Sequence, residues 1–303
     1  MICGPTATGK TKLAVNLAKL LDGEVISADS MQIYQKLDIG TAKVTVQEMN
    51  SVPHHLVDII EPDVSYSVAD YVSQAKSTVS EICERGHYPL LCGGTGLYIS
   101  SFINGVNFEV EKPDLHIRRK LQNELQLCGR EAMYVRLKNI DPLYAETLHT
   151  NNTVRVLRAI ELFEQTGKKM SEQIQNSLPL EKPYNTIVLY LTYRNRETLY
   201  NKIDSRVDEM VNSGILQEAK LVFDNRNSFL TAASAIGYKE FFPYFENTKT
   251  LDECTEKLKQ ATRRYAKRQM TWFRSIEEKH TICIDEVDAL SECKNILRDY
   301  SVL

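Results

Sequence analysis

Short apolar runs alternate along this chain with longer stretches in which apolar residues recur every three or four positions. Met1, Ile2 and Cys3 form an apolar lead into Gly4-Pro5-Thr6-Ala7-Thr8-Gly9-Lys10-Thr11, and residues 12–21 carry Leu13, Leu17, Leu20 and Leu21 at helical spacing. Residues 24–29 (EVISAD) read as a buried strand ending in an acid, and residues 55–60 (HLVDII) as another. Residues 69–85 have a helical pattern closed by Gly86, and residues 89–92 form a strand running into Gly93-Gly94-Thr95-Gly96. Residues 186–193 (TIVLYLTY) make the strongest strand pattern, and 281–284 a last one. Strands separated by helices predict a doubly wound, mainly parallel sheet of the α/β class.

Residues 109–185 break this rhythm. They are polar, arginine-bearing and helical in pattern, with Pro113 at one edge and Pro179 and Pro183 at the other. The expected organisation is therefore a discontinuous core, residues 1–108 and 186–303, with an all-helical domain inserted at 109–185. No apolar run approaches the roughly 20 residues that span a bilayer, and no basic segment followed by an apolar one marks a secretory signal. The seven cysteines are odd in number and scattered without a C-x-x-C pair, as expected of reduced thiols in a cytoplasmic protein. The net charge of −3 does not by itself point to nucleic acid, but it hides a local excess. From Lys257 to Arg274 the chain holds Lys257, Lys259, Arg263, Arg264, Lys267, Arg268 and Arg274 and no acid.

Gly4, Gly9, Lys10 and Thr11 complete the pattern G-x-x-x-x-G-K-[ST] between a strand and a helix. Glycines let backbone N–H groups converge on an anion, the helix start adds its positive dipole end, Lys10 supplies a full charge, and Thr11 offers a hydroxyl to Mg²⁺. The loop indicates a phosphate or diphosphate ligand but no particular reaction, since nucleotide-binding proteins, ATP-dependent kinases and other transferases share it. Asp29 ends its strand at the sheet edge where ligands of such folds bind. It suits a Mg²⁺ ligand, a general base or an N-cap for the following turn. Asp58 holds a similar place after HLV and is the rival candidate. His54 and His55 lack a third ligand at metal spacing. The glycines of residues 93–96 allow close backbone approach, with the Thr95 hydroxyl as a phosphate donor, or simply a tight strand-to-helix turn.

At this point the segments GPTATGKT, ISADSMQIYQKLDIGTAK, HHLVDI, GGTGLY, VRVLRAIE, SRVDEM, AIGYKE and RYAKRQMTWFR, in this order from Gly4 to Arg274, resemble the tRNA dimethylallyltransferases, also called tRNA isopentenyltransferases. The resemblance implies transfer of a dimethylallyl group from dimethylallyl diphosphate to the N6 amine of adenosine 37, in tRNAs reading codons that begin with U. It makes the loop a holder of isoprenoid diphosphate rather than ATP. It implies that Asp29 is the general base, that Lys10 and Thr11 hold diphosphate and Mg²⁺, and that Thr95 and Arg206 contact the diphosphate. It places tRNA contacts at Asp29, Ser30, Met31 and Gln32, at Val154, Arg155, Val156, Leu157 and Arg158, at Ala235, Ile236, Gly237, Tyr238 and Lys239, and near Thr95 and Arg118. The absence of a zinc-finger extension resembles the bacterial type, while only three residues precede Gly4.

The implied substrate gives the basic residues a use. Arg118, Arg119, Arg130, Arg136, Arg155 and Arg158 of the insert suit the anticodon stem-loop, about half of them being expected on a merely solvated face. On a helix, Arg264 and Arg268 form one cationic row and Arg263 and Lys267 another. Tyr265 and Trp272 could stack on bases, with core packing the better reading for Trp272. A small-molecule kinase using ATP, or an adenylate isopentenyltransferase acting on free nucleotide, are the alternatives. A non-catalytic RNA-binding module would need no phosphate loop. A monomer is expected, one stem fitting one insert.

Overall fold

The computed structural model describes residues 1–108 and 114–303. Its contacts divide the chain into a unit made of Met1–Ile103 and Tyr184–Leu303 and a second unit, Asn104–Pro183. The expected start of the insert at 109, and Pro113, lie outside the described residues. The expected end at 185 moves to Pro183.

The larger unit carries a six-stranded sheet in the order β3-β2-β4-β1-β5-β6. The strands are β1 (Ile2–Cys3), β2 (Gly23–Ser27), β3 (His54–His55), β4 (Tyr88–Gly93), β5 (Leu189–Thr192) and β6 (His280–Cys283). Every pairing is parallel, with Ile2 opposite both Cys92 and Leu189. A parallel sheet covered on both faces needs continuous apolar strands, and β2 is buried at all five positions. Glu24 sits in that strand because Arg85 and His55 reach its carboxylate at 2.8 and 2.6 Å. The Arg85 hydrogen bond, chiefly, holds its pKa below the ordinary carboxylate value against the opposing effect of burial.

The helix Lys10–Leu21 packs Leu13, Ala14, Leu17 and Ala18 into a core with Val25, Leu90, Leu189 and Ile282. The helix Val68–Glu84 starts at a reciprocal capping box between Ser67 and Asp70. One expected strand is corrected. Of the run HLVDII only His55 lies in a strand. Leu56 and Asp58 take left-handed backbone conformations, and the hydrogen bonds of Asp58, Ile59 and Ile60 go to the carbonyls of Gln32 and Ile33 instead of to β2. Apolar content made this segment look like a strand, but local pairing with residues 32–35 won.

The regular elements among the described residues of the second unit are helices. Leu115–Ile140 is a helical run kinked at Gly129. With Thr153–Thr166 it encloses a core of Leu121, Met133, Leu137, Val156, Ala159 and Ile160. Asp141, 1% exposed, ties this unit together by accepting from the Tyr144 and Ser171 amides and the Ser171 hydroxyl.

Candidate active site

The loop between β1 and the helix Lys10–Leu21 forms because its residues tolerate turns that others would not. Gly4 has φ +151°, and a Cβ there would lie 2.3 Å from the Leu191 carbonyl oxygen of the neighbouring strand. Ala7 is held in the left-handed region, with its carbonyl accepting from the Tyr193 hydroxyl at 3.2 Å. The Thr8 hydroxyl and the Lys10 ammonium both donate to the Pro5 carbonyl, at 2.9 and 2.6 Å. Burial lowers the Lys10 pKa to about 8; Arg206 acts in the same direction, and Cys92 and Asp29 oppose it. Arg206, on the helix Arg196–Asn212, donates to the Thr6 hydroxyl at 3.1 Å. Burial also pulls its pKa below the ordinary value, with Asp29 the first opposing charge. Two cations and one carboxylate therefore share the space above the loop.

Asp29 lies two residues beyond β2. Its Oδ1 accepts from the amides of Met31 and Gln32 at 2.9 and 3.4 Å, which makes it the cap of that turn. The capping uses Oδ1 and does not engage Oδ2. The rival, Asp58, is committed: its carboxylate pairs with Lys43, a lysine 4% exposed that also pairs with Asp38. Thr95 follows β4 and meets the Asp29 turn directly, its hydroxyl accepting from the Ser30 amide at 2.9 Å. The described residues hold no group of three or more His, Cys, Asp or Glu that could cage a metal. Thr11, an isolated hydroxyl in the first helical turn, fits Mg²⁺ only as an ion shared with substrate phosphates and water.

Sequence reasoning missed the residue that joins these parts. Gln269, on the helix Leu251–Arg274, accepts from the Thr6 amide at 3.0 Å and donates to the Gly94 carbonyl at 2.9 Å. It is 5% exposed, on a helical stripe with Ala266, Met270 and Phe273. A polar residue inside an apolar stripe was the available signal. Tyr265, one turn earlier, lies near the Thr95 and Gln269 side chains, and burial raises its pKa. Its place is thus beside the loops, and not only on a stacking surface. Trp272 packs against Gly96, where a Cβ would meet its indole at 2.5 Å.

The cationic rows of this helix differ from the sequence picture. Arg263 is answered by Asp204 at 2.6 Å and Lys259 by Asp208 at 2.8 Å, both acids coming from the helix Arg196–Asn212. Arg264, Lys267 and Arg268 are exposed, with no ion pair among the described residues, and Arg268 lies over the Tyr265 ring at 5.5 Å. In the segment 235–239, Tyr238 is fully buried and Ala235 and Ile236 pack against its core. The Lys239 ammonium bonds to the Ser234 carbonyl at 2.7 Å. The Tyr238 side chain therefore belongs to this core.

In the second unit, Arg118, Val154, Leu157 and Arg158 line one cleft of about 320 Å³ together with Glu161. Val154 and Arg155 are exposed, whereas Val156 is 1% exposed in the unit's core, so its side chain serves packing rather than contact. Arg118 and Arg158 reach Glu161 at 3.2 Å, Arg136 bridges Glu124 and Glu164, and Arg130 meets Glu131. Arg119 and Arg155 carry no ion pair among the described residues.

The family described as IPP transferase matches residues 32–276. A tRNA dimethylallyltransferase of Caldanaerobacter subterraneus is 42% identical over 302 residues, covering 99% of this chain and 96% of that protein. One from Bacillus subtilis is 46% identical over 275 residues, covering 91% and 87%. Among solved structures, a full-length tRNA isopentenylpyrophosphate transferase from Bacillus halodurans matches with TM-score 0.73 and 42% identity, over 99% of this chain and 94% of that one. A eukaryotic dimethylallyltransferase caught acting on tRNA matches with TM-score 0.77 and 30% identity, over 93% and 72%.

Proposed function

The chain belongs to the IPP transferase family, and from that premise we propose that it transfers the dimethylallyl group of dimethylallyl diphosphate to the N6 amine of adenosine 37 in tRNAs reading codons that begin with U. The bond from the allylic carbon to the diphosphate oxygen breaks, and its electron pair leaves with the diphosphate. The new bond forms from that carbon to N6, and N6 gives up one proton to the Asp29 carboxylate, leaving N6-dimethylallyladenosine.

One observation carries the reading. Gln269 joins the phosphate loop, through the Thr6 amide, to the loop bearing Thr95, and Thr95 holds Ser30 beside Asp29. A cradle for a departing diphosphate and a carboxylate for an incoming amine thus belong to one hydrogen-bonded network. Lys10, Arg206 and the backbone N–H groups of the loop meet the charge that develops on the leaving group. Mg²⁺, held by Thr11 and the diphosphate oxygens, would neutralise part of the same charge when bound. Oδ2 of Asp29 takes the proton of a weakly nucleophilic exocyclic amine. The adenine must leave its stack to reach this carboxylate. Exposed Arg264, Lys267 and Arg268 suit the phosphates of the anticodon stem-loop, as do Arg119 and Arg155. Among the described residues no helix is long and apolar enough to cross a membrane. We place the reaction in the cytoplasm, on a monomer.

The test is to incubate the protein and Mg²⁺ with labelled dimethylallyl diphosphate and either unmodified tRNA, AMP or ATP. Label is expected at adenosine 37 of tRNA alone. Transfer to AMP in preference to tRNA, or a requirement for ATP, overturns the reading.

A further inference from the structure

The loop Asp38–Lys43 lies next to the Asp29 turn in the chain, and no role in the reaction has been given to it. Its backbone is gripped from outside. The carboxylate of Glu218, on the helix Ile215–Asp224, accepts from three successive amides: Asp38 at 2.9 Å, Ile39 at 2.8 Å and Gly40 at 3.0 Å. It also accepts from the buried Tyr238 hydroxyl. Gly40 is pressed against Tyr238 so closely that a Cβ would meet the ring at 2.5 Å. Three converging N–H groups make an anion nest, and here the anion is the protein's own.

The far side of the same loop holds a residue of the site. Gln32 donates both hydrogens of its carboxamide to the loop, to the Thr41 carbonyl at 3.3 Å and the Ala42 carbonyl at 3.1 Å. With both donors so engaged, Oε1 turns the other way and remains an acceptor, near the Ser27 hydroxyl at 3.4 Å. A flipped amide would set its oxygen against two carbonyls, so the loop fixes the sense of the side chain. The Gln32 amide in turn donates to Oδ1 of Asp29.

We propose that Glu218 is a positioning residue for the acceptor-base side of the site: it clamps residues 38–40, and through the carbonyls of Thr41 and Ala42 it fixes the orientation of Gln32 and of the Asp29–Gln32 turn. The proposal rests on the transferase reading for its kinetic consequences and on geometry alone for the clamp. Without the carboxylate, three amides and a buried hydroxyl lose their common acceptor, and the loop is left to its internal turn bonds, from the Ala42 amide to the Ile39 carbonyl and from the Lys43 amide to the Asp38 carbonyl, and to the Lys43–Asp38 ion pair. Small displacements of groups that orient a reacting base cost far more in turnover than in binding of the other substrate.

The experiment combines amide exchange with kinetics on the full chain. In Glu218→Ala, exchange at residues 38–40 should accelerate while that of the phosphate loop does not. Turnover on tRNA should fall roughly 10- to 100-fold, with the affinity for pyrophosphate unchanged. Glu218→Gln, which still accepts through one oxygen but turns an NH₂ group toward the other two donors, should recover only part of the loss. The double variant Gln32→Ala, Glu218→Ala should be no slower than Gln32→Ala, because the second residue acts through the first. Should Glu218→Ala not fold, Gly40→Ala attacks the clamp from the Tyr238 side and must give the same pattern. A parallel fall in pyrophosphate affinity, or a double variant slowed by the product of the single effects, overturns the proposal. If the unsubstituted protein labels no tRNA, the transferase reading fails by itself. The exchange arm still decides the clamp, which unaltered exchange at 38–40 refutes.

Discussion

Two backbone nests lie in the larger unit of this protein, and they are filled in opposite ways. In residues 38–40 three amides end on the carboxylate of Glu218. In the phosphate loop the Thr6 amide ends on the neutral carboxamide oxygen of Gln269, and the charges hydrogen-bonded to that loop are the cations Lys10 and Arg206. A carboxylate holding four hydrogen bonds is a permanent plug. A neutral amide oxygen is outcompeted by a charged phosphate, whose hydrogen bonds are roughly twice as strong. Converging N–H groups therefore announce an anion without saying whose it is. The first nest is filled by the protein's own carboxylate, and the second meets only a neutral amide oxygen.

Asp29 faces both neighbourhoods, Lys10 and Arg206 on one side and Gln32 on the other, and its substitution has the largest expected effect. Asp29→Asn keeps the cap through its remaining oxygen but removes the base. Turnover should fall roughly 10²- to 10⁴-fold, with tRNA affinity nearly unchanged in a filter-binding titration. If affinity fell with turnover, Asp29 would be part of the scaffold, as Glu218 is. Next is Lys10→Met, which removes the charge that separates the open nest from the plugged one. The rate with dimethylallyl diphosphate should drop on the order of 10²- to 10³-fold, and pyrophosphate binding should weaken in calorimetry. Retained binding would mean that the backbone alone holds the diphosphate.

A smaller effect follows from the ionisation of Lys10. Its pKa in the free protein is lowered to about 8, chiefly by burial. A bound diphosphate stabilises the ammonium, so the pKa in the complex is higher. Below pH 8 both forms are protonated and affinity is flat. Above pH 8 the free protein has lost a proton that the complex retains, so affinity should fall by up to about tenfold per pH unit, with uptake of one proton. The ligand for this titration is dimethylallyl diphosphate, a phosphate ester whose last ionisation lies near pH 6, outside this window. Lys10→Arg keeps its charge and should flatten the profile; a slope that survives this change assigns the proton elsewhere.

The open nest was legible in the sequence because its chemistry is local. Glycines, lysine and threonine stand at fixed spacing, and the strand and helix around them follow from apolar periodicity. The plugged nest was not legible, because its anion comes from Glu218, about 180 residues away, on a helix whose pattern only says that it is amphipathic. Asp29 was visible at the end of its strand, but its split into a capping and a free oxygen depends on where the Met31 and Gln32 amides point. Asp58 looked equivalent until Lys43 was found against it. The helix 251–274 showed its charges but not their partners, since Asp204 and Asp208 belong to another helix. Sequence spacing reports which groups an element carries, and packing decides which of them are already answered.

That distinction extends the comparison from backbone amides to side-chain cations. On one helix, Lys259 and Arg263 are neutralised by acids of the neighbouring helix, whereas Arg264 and Arg268 are exposed and unpaired among the described residues. Only the second pair has charge to offer to RNA phosphates, and each phosphate contact releases about one counterion. Arg264→Ala with Arg268→Ala should weaken tRNA binding and reduce the slope of log affinity against log salt by about two, leaving pyrophosphate affinity and melting temperature nearly unchanged. Arg263→Ala should do the reverse, lowering the melting temperature by stranding Asp204 while the salt slope stays. Were the slope to change equally in both variants, the internal acids would not be sorting these cations, and the division into answered and offered charge would fail on this helix.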